Sequence, residues 1–137
     1  MGEKKDTIRV VCCEPGRLAR TVEIGTELSD LQQAVGGGFI ETYYPFEEEV
    51  CIVCNDEGKF NGMRPCRAVY GEDQKLMDII FGPFFICDCS TENFGSLSEE
   101  QLQRYAEQFR YPEHYYRMDG EIKAVRYDPT RSRDHSR

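Results

Sequence analysis

The chain has 137 residues, 39% hydrophobic and 12% aromatic, which supports one folded core and excludes disorder over most of its length. Its formal charge is −8, with 11 Lys and Arg against 21 Asp and Glu over residues 1–116 and 6 against 4 over residues 117–137. An acidic body of this kind repels nucleic acid, so non-specific binding to it is excluded, while a basic surface on another protein remains a suitable partner.

The amino-terminal MGEKKDTIRV has two lysines but no apolar stretch, so no secretory leader is read. Met1-Gly2 is followed by Asp6, where myristoylation needs Ser or Thr. No apolar run approaches the ~20 residues of a membrane span. The cytoplasm is therefore the expected location, with no membrane association. Seven cysteines, an odd number, argue against a secreted disulfide framework.

Residues 7–12 (TIRVVC) and 18–24 (LARTVEI) read as the strands of a hairpin joined through Glu14-Pro15-Gly16, where proline presets one dihedral and glycine accepts a positive φ. Thr26 is placed to cap a helix over 27–35, with Leu28, Leu31 and Val35 on its inner face. Gly36 ends that helix, and Gly37 and Gly38 turn the chain into the strand FIETYY. This glycine run follows a helix instead of preceding one, so it is not a phosphate cradle.

Val50–Cys54 (VCIVC) reads as a buried strand, and Asn55-Asp56-Glu57-Gly58 as a hairpin turn lacking the ligand order of a calcium loop. Pro65 opens a short helical turn over Cys66–Tyr70. In Leu76–Cys87, Gly82 and Pro83 divide the most apolar run into two short strands or one bulged strand. Residues 99–109 form the clearest helix. Ser98 and Gln101 have capping-box spacing, Leu97 and Leu102 the spacing of a hydrophobic staple, and Leu102, Tyr105, Ala106 and Phe109 make an apolar stripe. Beyond Met118 the chain is polar, and Asp128–Arg137 reads as a disordered tail.

Few constellations carry chemistry. Cys51 and Cys54 would point to opposite faces of their strand, whereas Cys87 and Cys89 would share one. A metal site from Cys51, Cys54, Cys66 and Cys87 lacks the paired ligand spacing of zinc, so these thiols are read as core residues. Of the two histidines, His135 lies in the tail, and His114 would have to be recruited across the fold to pair with a cysteine. No catalytic set, cofactor or metal is assigned. Arg64 and Arg67, three residues apart, could grip a phosphate or carboxylate with paired donors, or could pair with Asp73 or Asp78. The 55–67 loop is long for a simple turn, and Asn55, Lys59, Asn61, Arg64 and Arg67 on it are the candidate binding residues.

In their order, Glu14-Pro15-Gly16, LQQAVGGGFIE (31–41), CNDEGKFNGMRPCR (54–67), DIIFGPFFI (78–86) and the Ser98 helix resemble a bacterial and phage family known as domain of unknown function 3846. The sequence departs from that pattern at Met63 to Cys66. The resemblance implies a small accessory protein of a mobile element and supplies no reaction, cofactor or catalytic residue.

The sequence thus predicts an α+β fold over residues 1–116: a mainly antiparallel sheet from residues 7–89 with the 27–35 and 99–109 helices packed on it as a two-layer body, and a flexible polar tail at 117–137. The expected function is a non-enzymatic binding or regulatory protein that modulates a host protein. The alternative is a module binding a small anionic ligand such as a nucleotide through Arg64 and Arg67.

Overall fold

The computed structural model describes residues 6–131. Its elements in order are β1 (Thr7–Cys13), β2 (Arg20–Gly25), α1 (Leu28–Ala34), β3 (Ile40–Tyr43), β4 (Val50–Asn55), β5 (Pro65–Tyr70), β6 (Leu76–Phe81), β7 (Phe84–Asp88), α2 (Glu99–Gln108), β8 (Glu113–Met118) and β9 (Glu121–Arg126). The main sheet has the order β2-β1-β7-β4-β3, with every pairing antiparallel. Hairpins β5–β6 and β8–β9 form two further antiparallel pairs. The expected α+β class, mainly antiparallel with two helices, is the observed one.

Strand alternation gives the main sheet two buried faces. Val11, Cys13, Val50, Ile52, Phe84 and Ile86 meet Leu102, Tyr105 and Phe109 of the α2 segment, and Cys66, Val69 and Ile80 of the β5–β6 hairpin join the same core. Val10, Cys51, Val53, Phe85 and Cys87 on the opposite face meet Leu31 and Val35. One helix therefore covers each face. No helix among the described residues is long and apolar enough to cross a membrane.

The expected β1–β2 hairpin is present, with Gly16 at φ +76°. The apolar run does split at Gly82 into two strands, β6 and β7, which join different sheets. The capping box of α2 forms in both directions: Ser98 Oγ accepts from the Gln101 amide at 3.1 Å and Gln101 Oε1 from the Ser98 amide at 2.9 Å. Gly36 and Gly37 end α1 as expected, donating to the carbonyls of Gln33 and Gln32 at 3.1 and 2.8 Å.

Five expectations are corrected. The cap of α1 is Glu27, not Thr26, because Asp30 lies one turn on and accepts the Glu27 amide at 3.2 Å; Leu28, 61% exposed, is off the inner face. Residues 66–70 are strand, not a helical turn, since Pro65 serves equally well at the first position of a strand and the residues of β6 are there to pair. Asn55–Gly58 does not close a hairpin, because β4 and β5 belong to different sheets. Residues 117–126 are not tail: Asp119 (φ 55°) and Gly120 (φ 80°) make the tight turn of the β8–β9 hairpin. Of the Asp128–Arg137 segment, Asp128 caps a turn through Thr130, and residues 132–137 (with His135) lie outside the described residues.

Candidate binding surface

The five loop residues singled out from the sequence are dispersed by the fold. Asn55 is buried, and its Nδ2 donates to the carbonyls of Val35, at 3.1 Å, and Gly37, while its Oδ1 accepts the Glu57 amide at 2.9 Å. It locks the end of α1 to β4. Lys59 Nζ lies 3.1 Å from Asp78 Oδ1 and 5.7 Å from the centre of the Phe81 ring. Asn61 is exposed, and its amide closes the turn on the Glu57 carbonyl at 2.9 Å. Arg64 is exposed over the β1–β2 turn. A Cβ on Gly16 would lie 3.4 Å from Arg64 Nη2 and 3.7 Å from Tyr127 Oη.

Arg67 is fully buried. Its Nε donates to the Phe109 carbonyl at 2.9 Å, Nη1 to the Cys66 carbonyl at 2.9 Å, and Nη2 to the Arg17 carbonyl at 2.7 Å. The guanidinium thus ties β5 to the β1–β2 loop and to the end of α2. It pairs with neither Asp73 nor Asp78. With its donors turned inward, it does not join exposed Arg64 in a fork for one anion.

Asp78 instead organises a small cleft. Tyr43 Oη and Lys59 Nζ both donate to its carboxylate, as does the Ile79 amide at 2.7 Å. Burial raises the Asp78 carboxyl pKa, but these donors outweigh it and leave the value lowered. Acceptance by Asp78 pushes the Tyr43 hydroxyl up.

A larger groove of about 630 Å³ opens on the α2 side, between the Pro45–Glu48 segment, α2, the tip of the β5–β6 hairpin and the β8–β9 pair. Its floor is aromatic. Phe46 packs on Tyr105 with centroids 4.7 Å apart and edge-on to Phe109 at 6.3 Å. Its wall is organised by Glu48, whose carboxylate accepts from Tyr105 Oη, Arg104 Nη1 and, at 2.9 Å, Gln101 Nε2. Those donors, Tyr105 foremost, hold its pKa down to about 2. Glu47 and Glu72 line the same groove and are exposed. Glu113 is committed to the frame, taking the Ala68 amide at 2.8 Å and the Tyr115 hydroxyl at 2.7 Å on one oxygen. At the lip, Gln74 holds a φ of 64°, an uncommon conformation for a side-chain-bearing residue.

The cysteines divide as strand alternation predicts. Cys51 and Cys87 lie on the α1 face with Cys89 against them, while Cys54 and Cys66 lie on the α2 face. No cluster of three or more ligands able to hold a metal occurs among the described residues. His114 stacks on Tyr127, centroids 4.1 Å apart, and faces no thiol in the structure's hydrogen bonds. Sequence reasoning missed the groove, because its residues come from separated segments. The nearest signal is the acidic Glu47-Glu48-Glu49 run, which in sequence reads only as a polar turn.

An antiparallel α+β protein with an acidic groove over an aromatic floor is what fold and geometry define. The chain belongs to the family "Domain of unknown function (DUF3846)", whose model matches residues 8–110. The match runs from β1 through the end of α2, and the β8–β9 hairpin lies beyond it. Neither the curated proteins nor the solved structures gave a match.

Proposed function

We propose that this chain is a non-enzymatic binding module that acts by occupying another protein, and that it serves as an accessory protein of a phage or other mobile element, modulating a host protein. The groove carries this reading. Exposed carboxylates at Glu47 and Glu72 line the groove together with the Phe46 ring and outnumber its one arginine not paired with Glu48, Arg126, so they offer a basic segment both charge complementarity and apolar contact. The overall charge of −8 supports a basic partner by steering its approach. We further read residues 1–116 as one domain. In support of that, β7 pairs with both β1 and β4, so the early and late parts of the chain share one sheet.

The experiment is capture from bacterial lysate by the native chain and by a Glu47→Lys/Glu72→Lys variant of matched melting temperature. A partner held by the native chain, released by moderate salt and lost in the variant supports the reading. A partner retained equally by the variant removes the groove from it.

A further inference from the structure

Three thiols converge on the α1 face of the main sheet. Cys51 of β4 and Cys87 of β7 are register partners with Sγ atoms 3.9 Å apart, and both side chains are fully buried. Cys89, two residues past Cys87 and so on the same side, packs against the cluster that holds both and is only partly buried. The arrangement is graded, with one sulfur reaching the rim and two behind it. Its backbone frame is defined, since the Cys89 amide donates to the Glu49 carbonyl at 2.9 Å and Asp88 and Gly95 exchange hydrogen bonds just beyond.

We propose that this trio is a thiol-oxidation site, at which a hydroperoxide enters through Cys89 and leaves a Cys51–Cys89 disulfide. In the first step the Cys89 sulfur attacks a peroxide oxygen. The S–O bond forms as the O–O bond breaks, the departing hydroxide takes the thiol proton as water, and Cys89 is left as a sulfenic acid. In the second step the Cys51 sulfur attacks that of Cys89. The S–S bond forms as the S–O bond breaks, and the departing hydroxide takes the Cys51 thiol proton and leaves as a second water. Two protein thiols are oxidised by two electrons while one peroxide is reduced to two waters.

The roles follow from position. Cys89 is the sulfur of the three that solvent reaches, and it lies just past the end of β7, where its amide still holds the Glu49 carbonyl. Cys51 is the resolving sulfur because it lies across the β4–β7 register from Cys87, in the cluster against which Cys89 packs. Donation from Cys87 lowers its pKa against the opposing effect of burial, and Cys89 adds a second donor. Burial, with Cys51 beside it, pushes the Cys89 thiol up to about 11, so the entry step accelerates as pH rises.

The test treats the native chain with hydrogen peroxide at alkaline pH, quenches with an alkylating reagent and maps the peptides by mass. The expected product has lost two hydrogens, contains a Cys51–Cys89 cross-link and reverts with dithiothreitol. The link should persist in Cys87→Ser and vanish in Cys89→Ser. Accumulation of a Cys89 sulfinic acid without a cross-link overturns the proposal, as does a link through any other pair. Should the serine variants fail to fold, brief alkylation of the native chain provides the second measurement. Blocking the rim thiol must abolish the link, and a link that still forms refutes entry through Cys89.

Discussion

Arg67 donates its Nε–H to the carbonyl of Phe109, 2.9 Å away, where α2 ends. The last carbonyls of a helix lack partners within it and carry the negative end of its dipole. A guanidinium placed there meets both needs, while its Nη1 donates to the Cys66 and Glu14 carbonyls and its Nη2 to that of Arg17. The opposite end of α2 is equally anchored, for the Arg9 amide donates to Ser96 Oγ at 2.9 Å and the Leu97 amide to the Arg9 carbonyl at 3.0 Å.

Arg67→Ala should therefore destabilise the fold by about 3 kcal/mol, since it leaves several buried carbonyls unsatisfied at about 1–3 kcal/mol each with partial relaxation. Arg67→Lys should recover only part of this, because a compact ammonium cannot reproduce the planar fork. Urea unfolding midpoints measure both. A loss below about 1 kcal/mol for the alanine variant would show the socket to be dispensable.

Asn55→Ala should cost about 1–3 kcal/mol by freeing the Val35 and Gly37 carbonyls and the Glu57 amide. Hydrogen exchange locates the effect. Protection should fall first at Gly36 and Gly37, whose amides close α1, and only weakly along β1 and β2. Uniform loss across the sheet would contradict a local lock.

Acid should weaken the attachment of the Pro45–Glu48 segment to α2. The folded Glu48 carboxyl ionises more readily than an unfolded one, so its cluster adds stability above the unfolded value of about 4.3. That stability is lost as pH falls toward about 2. Asp78, whose pKa is also lowered, contributes in the same direction. Melting temperature should fall between pH 5 and pH 2 (roughly the window these two ionisations set), and Glu48→Gln should flatten the slope without abolishing it. An unchanged slope in that variant would remove Glu48 from the account.

Gly36→Ala and Gly37→Ala form a controlled pair. Both glycines hold positive φ, +91° and +96°, at a cost of about 1–2 kcal/mol for an L side chain. A Cβ on Gly36 would also lie 2.9 Å from Met63 Cε, whereas one on Gly37 meets nothing within 4 Å. Thermal melts should show both variants destabilised and Gly36→Ala the more so, the excess shrinking when Met63 is also replaced by alanine.

Features encoded by neighbouring residues were legible in the chain. Glu14-Pro15-Gly16 marks its turn, Ser98 and Gln101 mark a helix start, and Gly82-Pro83 marks a break, each through backbone chemistry confined to a few positions. Arg67 was not legible in its actual role, because carbonyls are its partners and any sequence supplies carbonyls. Glu48 was hidden for a related reason: its donors stand on a helix far along the chain. Cys66–Tyr70 misled because proline opens helices and strands alike, and only pairing with β6 decides between them. The β8–β9 hairpin could have been found, since Asp119-Gly120 is the favoured two-residue turn, but the polar strands around it suggested a tail.

The central position of β7 governs when this protein can fold. Both of its neighbours, β1 and β4, are synthesised well before it, so neither half of the main sheet can join the other until Phe84–Asp88 arrives. The β1–β2 hairpin must wait with an unpaired inner edge bearing Val10, Val11 and Cys13, and β4 waits likewise. Closing such distant pairings late is slow compared with forming local hairpins. A chain arrested before β7 therefore presents two bare apolar strand edges, which places its greatest exposure to aggregation at the middle of synthesis, not after release.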